Sequence, residues 1–144
     1  MKKIINNIGT ISHNIFVGAV ELNITNHGRL IDYHETFKIA LDMCAMHQLS
    51  NWIIEKNDFY DVSTDEFLLL IHKWIRFNIN ANNEIDNKIA LITKPQAAKK
   101  IKNFLTYRWF SDKFYLPEKV DFKVFTDQKE AYRFALSARH LQYT

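Results

Sequence analysis

Hydrophobic residues alternate with polar ones near the beginning of the chain. Residues 4–11, interrupted near Asn6, and residues 15–24 are rich in β-branched side chains, with a polar turn sequence between them. Alternation with a period of two is typical of strands, so this region predicts an N-terminal β-hairpin. Gly28 follows the second strand, and we expect a positive φ there because glycine tolerates that conformation.

The rest of the chain alternates between helical spacing and short apolar runs. Helices are predicted from residue 32 to about 49, from 64 to about 80, from Pro95 onward and after Asp127, and strands at residues 52–54, 88–93 and 120–125. The order ββαβαβαβα predicts a single α/β domain, in which a hairpin is followed by three strand–helix units and helices pack on a mixed sheet.

Polar residues with capping propensity precede three of these helices. Asp32 and Ser63 each lie three residues before a glutamate, which is the spacing of a capping box. Asp127 precedes the last helix, where an aspartate is a favoured N-cap. We therefore predict that Asp32, Ser63 and Asp127 are N-cap residues.

One strand–loop–helix junction is the best place to look for a site. Residues 52–54 have the composition of a strand buried on both faces, and the loop after them is polar and acidic. Ligands and partners of open α/β sheets meet the chain where strands end at their carboxyl edge. We predict a partner-binding loop here, with Asp58, Asp61 and Ser63 as its candidate residues.

The composition favours a packed cytoplasmic protein. Hydrophobic residues make up 47% of the 144 residues against 24% charged ones, which suits one domain with a full core. The single cysteine, Cys44, cannot form an internal disulfide, and the first residues lack the apolar core of a signal peptide. No apolar run approaches the roughly 20 residues that a membrane helix needs. We expect a cytoplasmic protein without a transmembrane segment.

The positive charge is concentrated in one aromatic-rich segment. The net charge is +3, and residues 94–119 contribute seven basic and two acidic side chains. Within them, residues 94–115, here called the basic-aromatic segment, interleave basic and aromatic residues. Its candidate interface or ligand residues are Tyr107, Arg108, Trp109, Phe110, Phe114 and Tyr115. The pattern suits nucleic acid or an anionic membrane surface. A solvated lysine face, with the aromatics in the core or in a dimer contact, is the favoured interpretation.

The chain lacks the sequence motifs of catalysis and metal binding. Its three glycines are too few and too dispersed for a phosphate-binding loop, and no nucleophile elbow occurs. Cys44 and His47 share a helix face, but zinc needs further ligands, and the acidic loop lacks the spacing of a calcium loop. We predict no enzyme activity, no cofactor and no metal.

Four segments carry a family resemblance. They are GTIS at residues 9–12, WIIEKNDFYDVSTDEF at 52–67, KIALITKPQAAKKIKNF at 88–104 and VFTDQKEAYRFAL at 124–136. In order and apolar pattern the chain resembles the SpoIIAA-like branch of the STAS superfamily, small α/β domains related to anti-sigma-factor antagonists. The resemblance covers nearly the whole chain and implies a non-enzymatic regulatory or protein-interaction module.

The same resemblance implies a phosphorylation site in the acidic loop. In the antagonists, a serine that directly follows an aspartate is phosphorylated to switch partner binding. Here Val62 separates Asp61 from Ser63, and Thr64-Asp65 stands where a small residue usually follows the serine. Ser63 and Thr64 are the candidate phosphorylation sites. The favoured alternative is that one of them only caps the helix, since capping is the commoner use of these residues.

Two further functions stay open beside a protein partner or self-association as a homodimer. The SpoIIAA-like group resembles lipid-carrying domains, which together with the many aromatics implies a carrier of an apolar or anionic small ligand. Nucleic-acid binding depends on the basic-aromatic segment alone and is less favoured.

Overall fold

The computed structural model describes residues 3–81, 87–108 and 120–136, with side chains for 3–74, 87–103 and 120–136. Within these ranges the chain forms six strands and four helices. In chain order they are β1 (Lys3–Ile5), β2 (Gly9–Asn14), β3 (Ala19–Ile24), α1 (Leu30–His47), β4 (Asn51–Lys56), α2 (Thr64–Ala81), β5 (Asn87–Ile92), α3 (Pro95–Arg108), β6 (Val120–Phe125) and α4 (Gln128–Ala135).

The strands lie in one sheet in the order of the sequence, β1-β2-β3-β4-β5-β6. The β1–β2 and β2–β3 pairs are antiparallel, whereas the three pairs from β3 to β6 are parallel. Each parallel pair is joined by one helix, as crossover connections require. The predicted α/β class, with a hairpin leading into a mixed sheet packed by helices, is confirmed.

Residues 4–11 form two strands, and the prediction of one interrupted strand is wrong. The Asn6 side-chain oxygen accepts hydrogen bonds from the backbone N–H groups of Ile8 and Gly9, both at 3.1 Å. An asparagine that bonds amides two and three residues further on makes a turn by itself. The chain therefore reverses between β1 and β2, and β1 pairs antiparallel with β2 at the edge of the sheet.

The two faces of the sheet bury cores of different size. Trp52 and Ile54 belong to the larger core, which α1, α2 and α3 cover, whereas Ile53 belongs to a smaller one under α4. Strand β4 is therefore buried on both faces, as its apolar run predicts. On the second face α4 presents Ala131 and Ala135, whose small side chains are completely buried.

The helix starts correct the prediction for Asp32 and confirm those for Ser63 and Asp127. The N-cap of α1 is Arg29, and Asp32 lies at the third helical position, where its carboxylate accepts the Arg29 N–H at 2.8 Å. Ser63 accepts the Glu66 N–H at 3.1 Å and Asp127 accepts the Lys129 N–H at 3.1 Å, the bonds of N-cap residues.

Gly28 does not adopt the positive φ expected of it. A side chain is excluded there for a different reason, because a Cβ would lie 2.3 Å from Cγ2 of Ile8. The close approach lets the segment between β3 and α1 pack against the start of β2.

No helix in the described ranges combines the length and apolar character needed to cross a membrane.

Candidate functional site

The parallel strands end side by side beneath two loops. Strands β3 and β4 finish at the paired residues Ile24 and Lys56, and β5 finishes next to them at Ile92. Residues 25–29 lead into α1, and residues 57–63, here called the acidic loop, lead into α2. The three predicted loop residues, Asp58, Asp61 and Ser63, therefore lie at the carboxyl edge of the sheet.

A buried ionic cluster of Tyr33, Lys56 and Asp61 lies under the acidic loop. The Lys56 Nζ lies 3.1 Å from Asp61 Oδ1 and donates to the Tyr33 hydroxyl at 2.7 Å. The Tyr33 hydroxyl in turn donates to Asp61 Oδ2. Only 3% of the Lys56 side chain and 8% of the Asp61 side chain are exposed. A charge this deeply buried is tolerated when it is paired and hydrogen-bonded, and here both conditions hold.

Aromatic rings complete the surroundings of the Lys56 ammonium. The Nζ atom lies 5.1 Å from the ring centroid of Tyr33, 5.3 Å from that of Phe59 and 5.8 Å from that of Phe67. The negative faces of such rings attract a cation within about 6 Å. Phe59 belongs to the acidic loop, so Lys56 holds this loop through a ring as well as through Asp61.

Asp61 connects the acidic loop to the start of α1. Its Oδ2 accepts the Gly28 N–H at 2.9 Å as well as the Tyr33 hydroxyl. Burial alone would raise the pKa of Asp61. Hydrogen bonds from Tyr33, Gly28 and Lys56, with the Lys56 charge, outweigh burial and lower the pKa to about 2 from 3.8. Burial and the Asp61 carboxylate raise the pKa of Tyr33, so its hydroxyl keeps its proton and stays a donor.

A second, exposed pair lies at the rim. His27 Nε2 is 2.7 Å from Asp58 Oδ1, and the two side chains are 54% and 38% exposed. Burial opposes ionisation of Asp58, but hydrogen bonds from His27 and the Tyr60 backbone together outweigh burial and lower the pKa of Asp58. The ring of Tyr60 lies edge-on to His27 with centroids 6.0 Å apart, and Tyr60 is 87% exposed. The acidic loop thus carries a large aromatic side chain into solvent.

A small polar cleft of about 230 Å³ opens beside the acidic loop. Its lining residues are Ile24, Thr25, Asn26, His27, Lys56, Asn57, Asp58 and Lys94. The ammonium of the exposed Lys94 can bind a carboxylate or phosphate, and the amides of Asn26 and Asn57 offer further hydrogen bonds. The cleft therefore suits a small anionic or polar group better than an apolar chain.

The same residues do not make a convincing metal centre. Ligand atoms of His27, Asp58 and Asp61 lie within 4.8 Å of one another. However, both Asp61 oxygens already accept hydrogen bonds, and the Lys56 ammonium lies 3.1 Å from one of them. A divalent cation here would meet a buried positive charge, so we assign no metal to this group.

The two candidate phosphorylation sites differ in access. Ser63 is exposed and caps α2, whereas Thr64 is only 5% exposed. An enzyme that modified Thr64 would have to open the start of the helix. Of the two, Ser63 is the one that a kinase can reach in the folded protein, and its phosphorylation stays a prediction.

The basic-aromatic segment is described in part. Lys99, Lys100 and Lys102 are exposed on α3, which agrees with a solvated lysine face. Tyr107 and Arg108 lie at the end of α3, but their side chains fall outside the described residues, as do Trp109, Phe110, Phe114 and Tyr115 entirely. Whether these aromatics form an interface, a ligand site or a core stays a prediction.

Sequence reasoning missed the residues that hold the acidic loop. Tyr33, Lys56 and His27 come from α1, β4 and the connection between β3 and α1, and only the parallel register brings them together. One sequence signal was available: Lys56 is the charged residue that ends an apolar strand just before a polar loop.

Comparison with known proteins gave no match among family models, curated proteins or solved structures.

Proposed function

We propose that this chain is a non-enzymatic protein-interaction module of the SpoIIAA-like type, and that it binds its partner through the acidic loop. The observation that carries the proposal is the buried ionic cluster, because it fixes a loop from which Tyr60 projects with 87% of its surface exposed. Tyrosine is among the residues that dominate binding energies at protein interfaces.

A fixed loop favours tight binding. Ordering a loop or a side chain on association costs free energy, and a loop that is already ordered avoids most of that cost. Residues 58–61 are tied by Asp58 to His27 and by Asp61 to Gly28, Tyr33 and Lys56. The loop can therefore present Tyr60 and the Asp58 carboxylate in one arrangement to a partner.

The cluster also suits a positional role better than a purely stabilising one. A buried ion pair is often no more stabilising than apolar residues of the same size, because both charges lose their hydration. Its directional bonds nevertheless specify one geometry for Asp61. We infer that Lys56 and Asp61 serve to shape the loop.

Regulation of this surface by phosphorylation follows from the same proposal. A phosphate on Ser63 would add a charge of about −1.5 to −2 at the helix start. It would replace the hydroxyl that accepts the Glu66 N–H, next to Asp61 and Asp65. Ser63→Asp is expected to weaken partner binding, whereas Ser63→Thr, which retains a capping hydroxyl, is expected to preserve it.

Site-specific photocrosslinking in cells tests the proposal. A photoreactive phenylalanine analogue replaces Tyr60 or, as a matched control, Phe16. Phe16 is 79% exposed in the turn between β2 and β3, at the end of the strands opposite to the acidic loop. We expect a discrete adduct from position 60 that Ser63→Asp reduces, and none from position 16. Equal adducts at both positions, or none at position 60, would argue against the acidic loop as a partner surface.

A second candidate function is binding of a small anionic ligand in the polar cleft. Lys94 is exposed and lines the cleft together with Asn26 and Asn57, so it can supply a positive charge and the amides can supply hydrogen bonds to such a ligand. The volume of about 230 Å³ is below the roughly 300–1,000 Å³ typical of ligand pockets, so a phosphate- or carboxylate-sized group fits better than a lipid. Native mass spectrometry of the gently purified protein tests it: a bound anion that Lys94→Glu removes supports the candidate, and an unliganded mass opposes it.

A further inference from the structure

Helices α1 and α2 leave an open groove between them on the outside of the larger core. The groove measures about 250 Å³ and is lined by Leu30, His34, Glu66, Leu69, Leu70 and Lys73. The wall on the α1 side is fixed, since the Trp74 indole N–H donates to Nδ1 of His34 at 3.2 Å. Leu30 is 52% exposed and Leu69 is 46% exposed, which leaves an apolar surface open to solvent.

Between residues 64 and 74, where the side chains of α2 are described, the exposed side of the helix has a symmetric charge pattern. Glu66, Leu69 and Lys73 are exposed and spaced by three and four residues, so they form one stripe along the helix. Glu66 and Lys73 are two turns apart, about 10.5 Å at 1.5 Å per residue, with the leucine near the middle. Along this stripe, the acidic Glu66 and the basic Lys73 thus lie at nearly equal distances on either side of Leu69.

We propose that this groove is a self-association surface, in which α2 of one copy packs antiparallel against α2 of a second copy. The two-fold axis lies near Leu69 and Leu70. Glu66 of each copy then faces Lys73 of the other, which gives two pairs of opposite charge. A parallel arrangement would instead place like charges together. Leu30 adds apolar surface beside the axis.

The contact is small, so the association is expected to be weak. A stable interface buries about 800 Å² on each partner, which exceeds what one groove of this size offers. The leucines supply the attraction, whereas the exposed charges mainly select the orientation. This inference goes beyond the proposed function, because it concerns a second surface, and its test does not involve Tyr60 or Ser63.

Sedimentation velocity with charge-reversal variants tests the proposal. Wild type, Glu66→Lys, Lys73→Glu and an equimolar mixture of the two variants are measured between about 1 µM and about 1 mM, which covers weak interfaces. Wild type is expected to dimerise, and each variant alone to dimerise at least about 10-fold more weakly, because two like-charged pairs then face each other. The mixture is expected to recover association, since every pair is again of opposite charge.

Matched controls separate this pairing from net charge. Glu130→Lys on α4 and Lys100→Glu on α3 alter exposed residues by the same charges and are expected to leave association unchanged. Leu69→Gln removes the apolar centre without changing charge and is expected to weaken association. Circular dichroism confirms that each variant is folded.

Three results would overturn the proposal. They are a monomeric wild type over the whole concentration range, charge variants or Leu69→Gln that associate as wild type does, and a mixture that associates no better than its components. None of these results bears on photocrosslinking at Tyr60, so the two proposals can fail separately.

Discussion

Removing the charge of Asp61 is the most informative perturbation of the buried ionic cluster. In Asp61→Asn the amide has one acceptor and one donor end, whereas the carboxylate accepts on both oxygens. If the amide oxygen accepts from Gly28 and Tyr33, the NH₂ group lies against the Lys56 ammonium. If the amide is flipped, the NH₂ group lies instead against the Gly28 N–H and the Tyr33 hydroxyl. One buried donor therefore always lacks an acceptor.

The expected loss of stability is large. Breaking a buried ion pair by removing one partner costs about 3–5 kcal/mol, because the remaining charge is buried without compensation. The lowering of the pKa of Asp61 from 3.8 to about 2 corresponds on its own to roughly 2 kcal/mol in favour of the ionised form. For a domain whose total stability is about 5–15 kcal/mol, a loss of about 2–5 kcal/mol is easily measured.

Urea unfolding followed by circular dichroism measures this loss. The matched control is Asp58→Asn, which affects the exposed pair with His27 and is expected to cost less than about 1 kcal/mol. The double variant Lys56→Met, Asp61→Asn removes both charges and is expected to be more stable than Asp61→Asn alone. If Asp61→Asn cost no more than Asp58→Asn, or if removing Lys56 gave no recovery, the cluster would not hold the loop as described.

Three further predictions follow from the same contacts. The pKa of Asp61 is lower in the folded than in the unfolded protein, so the stability that its charge contributes is complete above about pH 4 and is lost as the pH falls toward about 2. The melting temperature should therefore drop in that window, and it should drop less steeply in Lys56→Met. Ser63→Ala should cost about 1 kcal/mol in urea unfolding and Ser63→Gly only a few tenths; equal losses would contradict the capping role. Burial raises the pKa of the Cys44 thiol, so a thiol reagent should label it at the rate of unfolding; rapid labelling of the folded protein would show that the core is open there.

The sequence was sufficient to predict the α/β class because its strong signals are local. The last strand was predicted at residues 120–125, the bounds that the structure gives, and Ser63 and Asp127 make the predicted capping bonds. Local side-chain bonds also produced two of the errors. The turn at Asn6 and the cap at Arg29 depend on hydrogen bonds that hydrophobic periodicity does not register.

The position of the candidate site could be predicted from the sequence, but only some of the residues that make its contacts could. The end of an apolar strand marked the acidic loop, and Asp58, Asp61 and Ser63 lie there. Tyr33 is 28 residues from Asp61 in sequence, and its hydroxyl meets that carboxylate only because α1 crosses back over the sheet. Such a contact depends on the register of β3 with β4, which no pattern within either segment reveals.

The central claim is that the buried ionic cluster holds the acidic loop in one conformation before any partner binds. NMR relaxation of the backbone amides of residues 58–62 tests it most directly, with the amides of β4 as an internal reference. If the cluster orders the loop, we expect order parameters for residues 58–62 close to those of β4, at about 0.85. Values below about 0.6 in the free, folded protein would mean that the loop is mobile and would contradict the claim.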